Sequence, residues 1–125
     1  MFCNGTYELP DVKRVWRDWK PEGHGRIDLI QAVAQSCDIY YYDLAHRMGI
    51  DSMHQWMSEF GFGALTGIDL PGERAGIMPS REWKRATLDT SWYRGETINT
   101  GIGQGFTLST PIQLATSTAM LANRG

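Results

Sequence analysis

Cysteine is scarce: Cys3 and Cys37 are the only two in 125 residues. Two are too few for a disulfide framework and leave three options, one bridge, two free thiols or a shared metal. Charge of one sign is missing as well. Lys and Arg total 12 against 14 Asp and Glu, a net charge of −2. Nucleic-acid binders usually present a basic face, so no nucleic-acid partner is expected. No apolar run approaches the roughly 20 residues that a bilayer span requires. The first residues, Met1-Phe2-Cys3-Asn4-Gly5, have neither a basic n-region nor an apolar h-region. They read as an abrupt cut into a sequence, not as a signal peptide. Internal repeats and low-complexity tracts are absent. Gly101, Gly103 and Gly105 do not make a dinucleotide fingerprint, because Phe106 stands where the third glycine belongs and no Walker lysine follows.

What is present is an ordinary globular composition, 42% hydrophobic and 21% charged. Disorder is therefore not expected for most of the chain. A domain of this length buries roughly two-thirds of its unfolded surface, enough for a core.

Residues 1–26 read as irregular or strand-like, punctuated by Asn4-Gly5, Pro10-Asp11 and Pro21-Glu22-Gly23. Val12 to Trp19 suits an exposed hairpin or lobe edge. From residue 27 to 60 the pattern is helical. Ile27, Ile30 and Ala34 share a face flanked by Val33, and Tyr40, Leu44 and Met48 recur at four-residue spacing. Gly49 suits a left-handed helix end. Asp51 or Ser52 then caps a helix over Met53, Trp56, Met57 and Phe60. Residues 61–110 read as long ordered loops, with a short helix over Arg81 to Ala86 capped by Ser80. The last helix, 111–123, is announced by Thr110, Pro111 and Gln113, a capping box with proline at N1. It has little polar face and reads as buried. That implies self-association if nothing in the chain covers it. The fold class is α+β, mostly helical, with a small β element at the N-terminus.

Two constellations carry chemistry. Ser36-Cys37-Asp38 is a small polar triplet between apolar helical runs, which places a hydroxyl and a carboxylate on a short turn. The plainer reading is that Ser36 ends one helix and Asp38 caps the next. Cys3, Asp18, His24 and Cys37 are separated by 15, 6 and 13 residues, which matches no standard finger spacing. The residue types are still those of a closed tetrahedral Zn²⁺ site: two thiolates, one imidazole and one carboxylate. A Cys3–Cys37 bridge, inert side chains and a solvated loop histidine are the alternatives.

The triplet does not stand alone. Upstream lie Arg17-Asp18-Trp19-Lys20, Gly23-His24-Gly25, Asp28-Leu29 and Ala32-Val33-Ala34-Gln35. Downstream lie Asn99-Thr100-Gly101-Ile102-Gly103-Gln104-Gly105 and Thr110-Pro111-Ile112-Gln113-Leu114-Ala115. In order and spacing these resemble the class B penicillin-binding proteins, and among them the elongation-specific D,D-transpeptidases, over essentially all 125 residues. Ser36-Cys37-Asp38 is similar to the middle signature of the set S-x-x-K, S-x-N and K-T-G, with Asp in the third place. No Ser is followed three places later by Lys, and no Lys-Thr-Gly occurs.

The resemblance implies an internal piece of a penicillin-binding protein or serine β-lactamase-like transpeptidase domain, inactive alone for want of its nucleophile. The parent would cross-link peptidoglycan stem peptides through a serine acyl-enzyme and be a target of β-lactams. It would sit at the periplasmic face of the inner membrane with a SEDS-family glycosyltransferase as partner. Ser36 would serve on a proton path. Asp38 would orient a lysine or accept from a substrate amide, since an ionised Asp offers no donor. Gln104 would approach the substrate. A septal relative, a β-lactamase and a non-catalytic zinc-stabilised module are the rival readings.

Overall fold

A computed structural model describes all 125 residues, Met1–Gly125. The N-terminal quarter folds into two antiparallel ribbons. β1 (Phe2–Cys3) pairs with β4 (Gly25–Arg26), so that Cys3 faces Gly25. β2 (Thr6–Glu8) pairs with β3 (Val15–Arg17), with Tyr7 opposite Trp16. Tight backbone packing closes the first ribbon: a Cβ on Gly23 would lie 2.3 Å from the Cys3 carbonyl oxygen.

Helix α1 (Leu29–Gln35) starts at a reciprocal capping box between Asp28 and Gln31. It ends at Ser36, which adopts a left-handed conformation with φ 51°. Cys37 caps helix α2 (Asp38–Glu59). The expected division of this region at Gly49 appears as a kink inside one helical run. Gly49 has φ 74° and ψ 160°, and Ile50 resumes the helix at once, fully buried. Asp51 and Ser52 therefore lie inside the second segment and cap nothing. Helix α3 (Arg81–Leu88) begins at Ser80 as expected, its hydroxyl accepting from the Trp83 N–H at 3.0 Å.

Three expectations are corrected. The residues buried on α2 are Ile39, Tyr42, Ala45 and Ile50, not the row Tyr40, Leu44 and Met48. On α1, Ala32 is buried, while Ile30 and Val33 are 78% and 64% exposed. On α1 the one buried residue is the small Ala32, which lets the neighbouring element approach closely. The loop reading of 87–110 also fails, because residues Arg94–Thr100 form helix α4. Gly, Thr and Asn make this a poor helix former. Tertiary contact supplies what propensity does not. Ile98, Thr97 and Thr100 are buried where α4 packs on α2, and the Glu96 carboxylate accepts from the Tyr93 N–H at 2.7 Å.

Helix α5 (Pro111–Ala122) starts at Thr110 with the expected capping box and proline. Its expected burial does not occur within this chain. Only Gln113 and Ser117 are buried, and Leu114 and Leu121 are 51% and 67% exposed. Gln113 is polar yet fully buried because its amide is saturated. Nε2 donates to the carbonyls of Ala64 and Ala75, both at 2.7 Å, and Oε1 accepts from Thr110. That amide pins the glycine-rich 61–79 segment to α5. The core is one cluster built around Cys3, Leu9, Trp16, Ile27, Ala32, Cys37, Ile39, Tyr42 and Ile98. No helix is long and apolar enough to cross a membrane.

Candidate active-site turn and metal centre

The turn between α1 and α2 is held from several sides. The Ser36 N–H donates back into the last turn of α1, and the Cys37 N–H reaches the Ala32 carbonyl at 3.0 Å. The Trp19 indole N–H is shared between the carbonyls of Gln35 and Ser36, each at 3.0 Å. The sequence pattern marks Val12 to Trp19 only as an exposed hairpin or lobe edge and gives Trp19 no such role. Its only sequence signal is its position beside Asp18. Ser36 itself is exposed, and Asp38 is half-buried. Burial, then the nearby Asp18 charge, pushes the Asp38 carboxyl above its ordinary range, against a hydrogen bond from the Trp19 backbone and the opposing influence of His24.

A cavity of about 350 Å³ opens beside the turn, lined by Ala32, Val33, Ser36, Asp38, Tyr41, Gly101 and Ile102. Two segments far apart in sequence meet there. Gly101 makes the meeting possible. A Cβ at that position would lie 2.5 Å from the Ala45 Cβ and 3.0 Å from the Tyr41 carbonyl oxygen. Gln104 is exposed and lies outside this lining.

Beneath the turn lie Cys3, Asp18, His24 and Cys37, whose ligand atoms are all within 4.8 Å of one another. They come from β1, the residue after β3, the loop before β4 and the N-cap of α2. Cys3 Sγ is 3.7 Å from Asp18 Oδ2 and 3.6 Å from His24 Nδ1, and His24 Nδ1 is 3.6 Å from Asp18 Oδ1. Ligand bonds of about 2.0–2.3 Å in a tetrahedron put neighbouring donors roughly 3.3–3.8 Å apart. These three edges, of six, fall in that range and are too long for strong hydrogen bonds, while the edges to Cys37 lie within 4.8 Å. The cysteines are not joined by a disulfide.

Further contacts aim the donors. Asp18 also accepts from the Lys20 and Ile39 N–H groups, at 3.0 and 3.3 Å. His24 turns Nδ1 inward and leaves Nε2 buried without a partner. The Cys37 thiol is pushed up to about 12, first by burial, then by the Cys3 thiol and the Asp18 charge. Without a cation Cys37 therefore stays a thiol. A divalent ion would reverse that preference, because its charge stabilises the thiolates. The donor types and spacings fit such an ion.

The penicillin binding protein transpeptidase domain matches residues 1–125, the whole chain. This chain belongs to that transpeptidase family. It is 50% identical over 121 residues to the peptidoglycan D,D-transpeptidase MrdA of Acinetobacter baumannii, covering 97% of this chain and 18% of that protein. Against Pseudomonas aeruginosa PBP2, solved in complex with WCK 5153, identity is 51% and the TM-score 0.96, over 100% of this chain and 27% of that one. Against Helicobacter pylori PBP2, solved with MreC, the values are 36% and 0.93, over 99% and 23%. The chain thus spans about a fifth of the length of the curated relatives it matches. Its five helices and few short strands form part of the transpeptidase-domain fold.

Proposed function

We propose that this chain is an internal part of a peptidoglycan D,D-transpeptidase of the cell-elongation type, with Ser36 on its proton path. One observation carries the reading: Ser36, Asp38, Gly101 and Ile102 line the same cavity. In the proposed reaction a serine outside this chain attacks the carbonyl between two D-alanines of a stem peptide. The C–N bond breaks, D-alanine leaves with a proton, and an acyl-enzyme remains. An amine from a neighbouring stem peptide then displaces the serine and makes the cross-link. A serine hydroxyl is too weakly acidic to act unaided and needs a proton acceptor within reach. Ser36, exposed at a fixed turn, relays that proton. Asp38 orients a lysine or accepts from a substrate amide. Gln104 contacts substrate from the loop beyond Ile102. β-Lactams acylate the same nucleophile. The chain alone, which contains neither Ser-x-x-Lys nor Lys-Thr-Gly, is inactive.

The four-residue cluster would hold Zn²⁺ through Cys3, Asp18, His24 and Cys37, whose donor types suit it. Four protein ligands leave no open position, so the ion's work is structural. It fixes the ribbons to the turn that carries Ser36. The parent acts at the periplasmic face of the inner membrane with a SEDS-family glycosyltransferase and the elongation machinery; the Helicobacter pylori relative is itself solved in complex with MreC.

The test is acylation of the complete protein by a labelled penicillin. Ser36→Ala is expected to slow it by roughly 10²- to 10⁴-fold, the range of a positioned proton-transfer group, while melting changes little. Equal rates in variant and parent remove Ser36 from the mechanism. A covalent adduct on the 125-residue chain overturns the assignment of the nucleophile.

A further inference from the structure

The two cysteines have a second chemistry open to them. Both are fully buried, and their sulfurs lie at most 4.8 Å apart. We propose that Cys3 and Cys37 are a metal-gated modification site, kept apart as ligands while a metal is bound and closing to a disulfide when it leaves. The inference rests on the metal reading above.

A bound ion holds both sulfurs at tetrahedral edges and engages their lone pairs. Once it is gone, closure needs the sulfurs to approach by up to about 2.8 Å, since an S–S bond is about 2.0 Å. The two sides of the site do not yield equally. Cys3 lies in β1, paired to β4 and boxed by Gly5 and Gly23, where a Cβ would lie 2.1–2.3 Å from a facing carbonyl oxygen. Cys37 is a single residue between left-handed Ser36 and the first turn of α2. The movement therefore falls on the turn that holds Ser36 and Asp38. A disulfide would draw that turn toward the ribbons against the two Trp19 indole bonds.

The burial of both sulfurs selects a small oxidant, and a peroxide is the chemical class that fits. A second cavity, of about 730 Å³, lies against the cluster and is lined by Trp19, His24 and Ser36 among others. Hydrogen peroxide entering there meets the cluster through His24 and the turn. Cys3 gives its proton to His24 Nδ1, 3.6 Å away; its sulfur attacks a peroxide oxygen, the O–O bond breaks, the departing oxygen takes the proton back, and a sulfenic acid and one water form. The second sulfur attacks the first, the S–O bond breaks and a second water leaves. Two thiols lose two electrons, and one peroxide gains them.

The experiment uses the complete protein, purified reduced, with its metal content measured. One half is stripped with a chelator, both halves are exposed to hydrogen peroxide, and cross-linked peptides are mapped by mass. The stripped half is expected to lose both thiols and gain a Cys3–Cys37 linked peptide lighter by about 2 Da than the reduced pair. The metal-bound half keeps both thiols. Labelled-penicillin acylation falls in the cross-linked sample and returns with a reductant. Cys3→Ser abolishes the linked peptide. Absence of that peptide from the stripped half overturns the proposal and leaves the metal reading standing. Protein isolated metal-free and already cross-linked overturns both. Cross-linking with unchanged acylation overturns the coupling to the turn.

Discussion

Ser36 does two jobs with one residue. Its left-handed backbone ends α1, and the same geometry turns its side chain out to the cavity that Asp38 and Gly101 also line. The helix-end reading and the proton-path reading are thus compatible. Gly101 is needed for a different reason, because its φ of −59° is ordinary and only space is short. Gly101→Ala is expected to cost about 1–3 kcal/mol, the range for overpacking a close contact, measurable by denaturant melts. A neutral result would mean that α4 moves freely on α2. Ser36-Cys37-Asp38 was legible as a motif in the sequence. The role of Trp19 was not, because an indole bond to two carbonyls of a distant turn leaves no periodic trace.

Helix α4 is fixed to α3 by an ion pair between the buried Lys84 and the half-buried Glu96. Lys84 is 4% exposed, and its ammonium is 2.6 Å from Glu96 Oε1 and 2.8 Å from the Ser91 carbonyl oxygen. The Tyr93 ring lies 4.6 Å away, with Trp92 and Phe106 slightly further. Lys84→Met leaves the half-buried Glu96 carboxylate without its cation. It should destabilise by about 1–3 kcal/mol, less than a fully buried pair would lose, and Lys84→Met with Glu96→Leu by less again. Additive losses in that double-variant cycle would show that the two residues do not act as a pair. The glycine-rich segment has its own electrostatic tie. Glu73 accepts from the Thr66 hydroxyl and the Thr66 and Gly67 N–H groups, which hold its carboxyl below its ordinary value of 4.5. A depressed folded value means stability that is present above 4.5 and lost as pH falls through the folded value. The melting difference between parent and Glu73→Gln should be largest near neutral pH and vanish in acid. A difference independent of pH would assign it to shape, not charge. The capping box of Thr110 and Gln113 made α5 readable from sequence, whereas that of Asp28 and Gln31 emerged only from the structure. Nothing local marked α4, whose helix former is its contact with α2.

Across the whole molecule only 22 of 125 residues are buried, and Leu29, Ile30, Val33, Leu114 and Leu121 stay exposed on α1 and α5. Apolar surface of this extent drives association. In light scattering the 125-residue chain should run as an oligomer, and a clean monomer would count against that. The cluster of Cys3, Asp18, His24 and Cys37 is the other global tie, bringing both ribbons to the α1–α2 turn. On the proposed metal reading, a hundredfold excess of metal over its Kd would contribute about 2.7 kcal/mol by linkage. Chelation should lower the melting temperature accordingly, and an unchanged melt would remove the ion from the fold. By itself the sequence determined the family, the capped helix starts and the four residue types able to bind a metal, because these are written in neighbouring residues and in ordered motifs. Only the tertiary structure decided which helix faces are buried, that α4 exists, and that Cys3, Asp18, His24 and Cys37 converge. Those outcomes depend on which elements approach one another, and 15-, 6- and 13-residue separations fix no distance in space.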